Sequence, residues 1–257
     1  MNYVFLFPGQ GSQYVGMGRA FFDTYPFVRQ LFEEASDLTR KDLKRLCFEG
    51  PDPTLVQTDN VQPAITLVNL ACLQVLREEG VSPAATAGNS LGEYAALCAA
   101  GVMSFADTIR LVDVRGAAMK EAAERHPGGM TAVFGLDLET VSAICAEVQD
   151  LGSVEVGNQN SPLQIVLTGE KEALRKASQL AKQKGAKLIV PLKVSGAWHS
   201  RFMGEARERM RVALSESTLA APSLPVIANV TGAAHPAEPD GIRSLLMEQL
   251  VRPVLWA

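Results

Sequence analysis

Ser90 stands in Gly88-Asn89-Ser90-Leu91-Gly92, a Gly-x-Ser-x-Gly pentapeptide between Pro83-Ala84-Ala85-Thr86-Ala87 and Glu93-Tyr94-Ala95-Ala96-Leu97-Cys98-Ala99-Ala100. A small-residue strand before it and an Ala-rich helix after it are the setting of a nucleophile elbow. The flanking glycines permit a tight strand-to-helix turn, the hydroxyl protrudes, and the first amides of the helix can hold an oxyanion. The competing reading is a serine in an ordinary strand-to-helix turn. A hydroxyl needs a base to attack at neutral pH, and the chain offers His126, His199 and His235. His126 adjoins Pro127-Gly128-Gly129 and His235 lies in Gly232-Ala233-Ala234-His235-Pro236, so both read as loop residues. His199, in Ser195-Gly196-Ala197-Trp198-His199-Ser200, remains by elimination the best base, with a purely structural histidine as the alternative.

The elements that must position these groups follow from pattern. Ser104-Phe105-Ala106-Asp107 is a helix-start signature, and the helix it opens is expected to run to about Glu124. Arg110, Asp113, Ala117, Lys120, Glu121 and Glu124 share one face, and Ile109, Leu111, Val112, Gly116, Ala118 and Met119 share the other. Arg115 falls within the apolar face. An inward guanidinium must meet an anion, because an unpaired buried charge is very costly. Either a protein carboxylate pairs with it, or it is a two-pronged clamp for a ligand carboxylate.

Tyr3–Phe7 is a continuous apolar run ending at Pro8-Gly9, expected to be a buried strand. Helical pattern follows from Ala20 to Arg45 with a break near Pro26, and again from Pro63 to Leu76; Phe21, Phe22, Phe27 and Phe32 read as core. After His126-Pro127-Gly128-Gly129 the rhythm changes. Strands are expected at Met130–Leu136, Val154–Gly157, Gln164–Thr168 and Lys187–Leu192. Helices are expected at Leu138–Val148, with Leu138, Val141, Ile144, Cys145 and Val148 inward, and at Glu170–Lys184; Asn158–Pro162 reads as a loop. Strand-helix-strand-strand-helix-strand is the ferredoxin-like order. The expected architecture is therefore α/β, with a ferredoxin-like subdomain over 127–196 inserted into a larger domain formed by 1–126 and 197–257.

Composition narrows the class. The chain has 257 residues, 47% of them hydrophobic and 20% charged, as suits a soluble protein with a substantial core. Its formal net charge of −4 supplies no basic excess for displacing phosphate counterions, so nucleic acid is not an expected partner. Cys47, Cys72, Cys98 and Cys145 are scattered without metal-ligand or redox spacing, which points to reduced thiols in the cytoplasm and to no metal or redox cofactor. Cys98 reads as packing. The N-terminal apolar run is too short and lacks the cationic start of a signal peptide, and no stretch approaches a membrane span.

Taken in order, Phe7-Pro8-Gly9-Gln10-Gly11-Ser12-Gln13, Gln62-Pro63-Ala64-Ile65, Ala87–Tyr94, Arg115-Gly116, Asn158–Pro162 and Gly196–Ser200 resemble the motifs of the malonyl-CoA:acyl carrier protein transacylase family, the free-standing acyltransferases of fatty-acid and polyketide synthesis. The resemblance spans essentially the whole chain. It implies an α/β-hydrolase-like large subdomain around the ferredoxin-like one, no cofactor, and malonyl-CoA and an acyl carrier protein as partners. It further implies Ser90 as the acylated nucleophile and His199 as base and then acid. The Leu91 and Gln10 amides would form the oxyanion hole, Arg115 would grip the malonyl carboxylate, and Gln62 would line the pocket. By the same resemblance the backbone carbonyl of Gln249, ahead of Pro253-Val254-Leu255-Trp256, would orient the base.

Three departures from the family pattern carry expectations. Asn89 replaces the family's usual histidine; it keeps hydrogen-bonding capacity without positive charge, which should alter pocket polarity and acyl preference. Trp198 stands where many relatives have phenylalanine or serine, and a bulky ring beside the base should favour malonyl over a branched acyl unit. The chain also stops at Ala257, whereas family members usually continue for some tens of residues, so an uncovered apolar edge is expected. Arg175, Lys176, Lys182, Lys184 and Lys187 form a basic cluster, either a solvated helix face or a docking patch for an acidic carrier. Two rival functions share the motifs: an acyl hydrolase editing carrier thioesters, which would have no use for a buried cation, and a non-catalytic carrier-binding relative.

Overall fold

The computed structural model describes residues 3–257; Met1 and Asn2, the start of the expected large domain, lie outside the described residues. In chain order the elements are β1 (Tyr3–Phe7), α1 (Arg19–Thr24), α2 (Pro26–Thr39), α3 (Leu43–Phe48), α4 (Asp52–Leu55), α5 (Thr58–Glu78), β2 (Pro83–Gly88), α6 (Gly92–Ala99), α7 (Phe105–Arg125) and β3 (Gly129–Phe134). There follow α8 (Leu138–Glu147), β4 (Val154–Ser161), β5 (Gln164–Gly169), α9 (Lys171–Gln183), β6 (Leu188–Pro191), α10 (Gly204–Glu216), β7 (Val226–Ile227), α11 (Pro239–Gln249) and β8 (Val254–Leu255). The chain divides into two compact units. The first comprises Met1–Ala117, Arg209–Ala228 and Ala233–Arg243, and the second Ala118–Glu208, Asn229–Gly232 and Ser244–Ala257.

In the first unit β1, β2 and β7 form a parallel sheet in the order β1-β2-β7. Phe7 is buried, but Tyr3, Val4 and Leu6 are exposed at 42%, 60% and 63%, which corrects the expectation of a buried strand. Alternation explains Val4 and Leu6, which point to the opposite side of the pleat from Phe5 and Phe7; Tyr3 shares the Phe7 side but stands at the exposed start of the strand. The expected break near Pro26 falls at Tyr25, and a second follows at Arg40, whose φ of 55° ends α2. Phe32 is buried and meets Phe22 and Phe48 with ring centroids 5.4 and 5.1 Å apart, so this aromatic cluster is core; Phe21, Phe22 and Phe27 are themselves only half-buried.

α5 begins at Thr58, five residues ahead of Pro63, where the sequence pattern placed its start. Proline inside a helix leaves the carbonyl of residue i−4 without its amide donor. That carbonyl belongs to Asp59, and Lys41 Nζ donates to it at 2.8 Å while also pairing with Asp113. A lysine from the α2–α3 connection thus supplies the hydrogen bond that Pro63 cannot, and the helix continues through it.

The second unit contains a five-stranded sheet in the order β6-β3-β5-β4-β8, with β3 antiparallel to β5 and β6, β4 antiparallel to β5, and β8 added parallel to β4. Val133, Val141, Ile144, Ile165, Leu167 and Ala177 belong to the core between this sheet and α8 and α9. Leu138 is 37% exposed rather than inward, because it opens α8 at the turn capped by the Asp137 side chain. Asn158–Ser161 extends β4 instead of forming a loop. Pairing on both sides supplies the reason: Asn158 and Gln159 pair with Val166 and Ile165 of β5 on one side and with Val254 and Leu255 of β8 on the other, and Trp256 N donates to Gln159 O at 3.0 Å. No described helix is long and apolar enough to cross a membrane.

All four cysteines are free thiols. Burial pushes Cys47 and Cys145 up to about 12, and raises Cys72 and Cys98 as well. The thiolate is the reactive form. A thiol-exchange reagent at pH 8 is therefore expected to label the native protein at least about tenfold more slowly than the urea-unfolded chain; rapid native labelling of Cys47 or Cys145, read by peptide mass, would contradict that burial.

Candidate active site

The first unit builds one part of the site at the end of β2. Ser90 has φ 50°, a left-handed conformation that a serine adopts only under strain. Two glycines make this turn possible. A Cβ on Gly88 would lie 2.0 Å from the carbonyl carbon and oxygen of Gly92, and one on Gly92 would lie 2.1 Å from Phe7 O. Only glycine lets β1, β2 and α6 approach this closely. α6 then starts at Gly92 with Leu91 as its N-cap, so the Leu91 amide sits at the positive end of the helix. The Phe7–Gln10 segment packs on the elbow. Asn89 N donates to Phe7 O at 3.0 Å, Asn69 Nδ2 donates to Pro8 O at 3.0 Å, and a Cβ on Gly9 would stand 2.4 Å from Asn89 O. Gln10 is thereby carried on a turn pressed against the elbow. Asn89 itself is half-buried, and its carbonyl accepts from Gly92 N at 2.9 Å.

Arg115 belongs to the same part. It is 1% exposed on the buried face of α7, with Ile109, Leu111, Val112, Ala118 and Met119 also buried, as the periodicity required. Ser104 and Asp107 cap the helix start reciprocally: Asp107 N donates to Ser104 Oγ at 3.0 Å and Ser104 Oγ donates to Asp107 Oδ2 at 2.7 Å. Gly116 brings α7 close to α5, since a Cβ there would meet Thr58 O at 2.7 Å and Gln62 Cβ at 3.4 Å. Across this close approach Arg115 Nη1 donates to Gln62 Oε1 at 2.8 Å, with Gln62 fully buried, and Arg115 Nη2 donates to Ser90 Oγ at 3.1 Å. The Tyr94 ring lies 5.7 Å from the guanidinium carbon, within cation–π range. Burial pushes Arg115 below its usual value, and Tyr94 and Glu93 oppose that drop. Burial holds the Tyr94 phenol up at about 12, so it stays protonated at neutral pH.

The second unit carries the histidine. His199 is 4% exposed and, like Ser90, has a left-handed backbone, with φ 60°. Its Nδ1 lies 2.7 Å from the Gln249 carbonyl oxygen. A carbonyl only accepts, so Nδ1 carries the proton and Nε2 presents its lone pair, the state a general base requires. The supporting shell is tight. Gln249 Nε2 reaches Asn229 Oδ1 at 3.5 Å, Thr168 Oγ1 donates to Trp198 O at 2.7 Å, and Ser200 Oγ donates to Ala197 O at 2.6 Å. Trp198 is buried at 5%, and its ring edge occupies the space where Gly196 would carry a Cβ. Asn229 and Thr168 went unnoticed in the sequence, because single polar residues in strand-end and loop contexts carry no periodic signal.

The structure thus brings Ser90, Arg115 and Gln62 into one hydrogen-bonded group, and His199 and Gln249 into another. His126 is an exposed residue with a ring contact to Phe202. His235 is buried, which its loop sequence does not reveal. Among the described residues no cluster of His, Cys, Asp and Glu has the makings of a metal site.

The sequence profile of the acyl transferase domain family matches residues 4–255. The chain belongs to the acyl transferase family. This acyl transferase is 41% identical over 251 residues to the malonyl CoA-acyl carrier protein transacylase of Bacillus subtilis strain 168, covering 97% of its own length and 79% of the relative's. Its fold superposes on the malonyl CoA-acyl carrier protein transacylase of Coxiella burnetii with a TM-score of 0.96 at 37% identity, covering 99% and 81% of the two chains. A malonyl-transacylase solved in complex with a type II polyketide acyl-carrier protein matches with a TM-score of 0.95 at 40% identity, over 100% of this chain and 83% of that one.

Proposed function

We propose that this acyl transferase moves a malonyl group from malonyl-CoA to the phosphopantetheine thiol of an acyl carrier protein through an acyl-Ser90 intermediate. The observation that carries the reading is the bond from Arg115 Nη2 to Ser90 Oγ at 3.1 Å: a buried cation within reach of a strained, elbow-mounted hydroxyl. The relatives named above are malonyl transacylases, and one of them is solved with an acyl-carrier protein.

The mechanism has two half-reactions. Ser90 Oγ attacks the thioester carbonyl while His199 Nε2 takes its proton; the tetrahedral oxyanion is held by the Leu91 and Gln10 amides, each worth about 3 kcal/mol. His199 then returns the proton to the departing CoA sulfur. Arg115 shifts its fork from Ser90 to the free carboxylate of the malonyl group, and Gln62 keeps the guanidinium in plane. In the second half the carrier thiol attacks the Ser90 ester through the same hole, His199 takes the thiol proton, and it gives that proton back to Ser90. The Gln249 carbonyl holds the imidazole tautomer throughout. Asn89 and Trp198 line the acyl side in this reading and set its polarity and width. An uncharged acyl group would leave Arg115 without its carboxylate, which is how the site rejects it.

Architecturally we read 127–196 as a ferredoxin-like insert in an α/β-hydrolase-like domain formed by 1–126 and 197–257. The antiparallel order β6-β3-β5-β4 and the parallel β1-β2-β7 sheet leading into the elbow support this. Four free thiols fit a cytoplasmic enzyme. Incubating the protein with malonyl-CoA and a holo carrier protein tests the proposal: malonyl-carrier should accumulate, whereas free malonate as the main product would indicate a hydrolase.

A further inference from the structure

His235 Nε2 lies 2.7 Å from Glu93 Oε1, a buried contact that ties α6 to the chain after β7. The contacts of Lys41 bear instead on the two helices that carry the acyl clamp. Lys41 is set by its backbone in the α2–α3 connection: its amide donates to Ser36 O at 3.2 Å, and its carbonyl accepts from Leu43 N at 2.8 Å. From there its ammonium joins α5 to α7, donating to the Asp59 carbonyl at 2.8 Å and pairing with the Asp113 carboxylate. The Lys41 and Asp113 side chains are mostly sheltered, at 23% and 26% exposure. Gln62 stands one turn after Asp59 on α5, and Gly116, directly following Arg115, stands one turn after Asp113 on α7. A Cβ on Gly116 would lie 3.1 Å from Asp59 Cα and 3.4 Å from Gln62 Cβ, so the Lys41 bridge flanks the point where α5 and α7 touch.

Resting on the reading of Arg115 as the carboxylate clamp, we propose that Lys41 is a positioning residue for acyl selection: by tying the Asp59 carbonyl of α5 to Asp113 of α7, it fixes the register in which Gln62 meets Arg115. The need for it comes from Pro63. Proline has no amide to give to Asp59 O, so the first turn of α5, which leads into Gln62, lacks one of the bonds that would lock it to the rest of the helix. A turn loosened there would let Gln62 drift, and Gln62 Oε1 is the acceptor that holds one edge of the Arg115 fork. Fork and carboxylate meet through two directed N–H bonds, so a change in the aim of the guanidinium weakens both at once. A misplacement of about 1 Å, caused far from the chemistry, is enough to cost about a hundredfold.

The test is Lys41→Met, which keeps the aliphatic stem and removes the donor and the charge. Malonyl-CoA KM is expected to rise about tenfold with kcat within about threefold of wild type, because the lost aim weakens binding in ground and transition states alike. KM for acetyl-CoA, which has no carboxylate, should stay within about twofold of wild type. Lys41→Arg, which retains a donor and the charge, should bring malonyl-CoA KM back to within about threefold of wild type. In a Gln62→Ala background Lys41→Met should add less than about twofold, since the two residues act in series. Should Lys41→Met fold poorly, Asp113→Asn removes the α7 anchor alone and predicts a rise in malonyl-CoA KM of about threefold. A folded Lys41→Met with malonyl-CoA KM unchanged, or with equal losses on both acyl-CoAs, would overturn the inference, and so would full additivity with Gln62→Ala. An Arg115→Ala variant that still prefers malonyl-CoA would instead overturn the clamp reading itself.

Discussion

Ser90→Ala is expected to leave no covalent acyl adduct after exposure to malonyl-CoA and to reduce transfer by about 10⁴- to 10⁶-fold, the loss seen when a catalytic nucleophile is removed outright. The fold should survive. Ser90 already pays for its left-handed φ of 50°, and alanine inherits that strain without adding to it. The hydrogen bond from Arg115 is lost, but the one to Gln62 remains, so thermal unfolding should indicate a cost of about 1 kcal/mol. Residual turnover, if measurable, would come from hydrolysis assisted by the remaining groups. Wild-type rates in Ser90→Ala would mean that another group carries the acyl chain.

Arg115→Ala is expected to cut kcat/KM for malonyl-CoA by about 100- to 1,000-fold while sparing acetyl-CoA or improving it. Two charge-assisted hydrogen bonds to one carboxylate are worth about 3–4 kcal/mol together, which sets the size of the loss. The change should reverse selectivity rather than abolish chemistry, because the elbow and the His199 turn are built independently of this side chain. Stability responds separately. Removing a buried cation leaves Gln62 Oε1 and the Tyr94 face without their partner, so Arg115→Lys is the companion variant: it retains the charge and loses the fork. Lysine should keep a preference for malonyl-CoA but bind it less tightly. Equal losses on malonyl-CoA and acetyl-CoA in both variants would assign Arg115 a structural role only.

Much of this site was legible in the sequence because it is built from motifs with local geometry. Gly-x-Ser-x-Gly is read by steric necessity, and the 2.0 and 2.1 Å clashes at Gly88 and Gly92 show what the glycines avoid. Arg115 was legible because a charge inside an apolar helical stripe breaks a pattern. The Ser104–Asp107 cap fixed where that stripe begins. What the sequence concealed depends on contacts distant along the chain. Pro63 reads as a helix start until Lys41 is seen donating to the Asp59 carbonyl that proline leaves open. Asn158–Ser161 reads as a loop because its residues are polar, although they pair with β5 on one side and, on the other, with a strand two residues long and almost a hundred positions later. His235 reads as a loop histidine because nothing near it in sequence announces Glu93. β1 misleads in the other direction: five consecutive apolar residues suggest burial on both faces, yet the side that carries Val4 and Leu6 is exposed.

In the proposed mechanism one hydroxyl alternates between a free and a malonylated state, and intact-mass spectrometry with peptide mapping distinguishes the two. Exposed to malonyl-CoA, the protein should gain a single malonyl group on Ser90, and adding holo carrier protein should discharge that group onto the carrier thiol. A protein that transfers malonyl with no adduct at Ser90, or that bears the adduct and releases it only to water, would contradict the account.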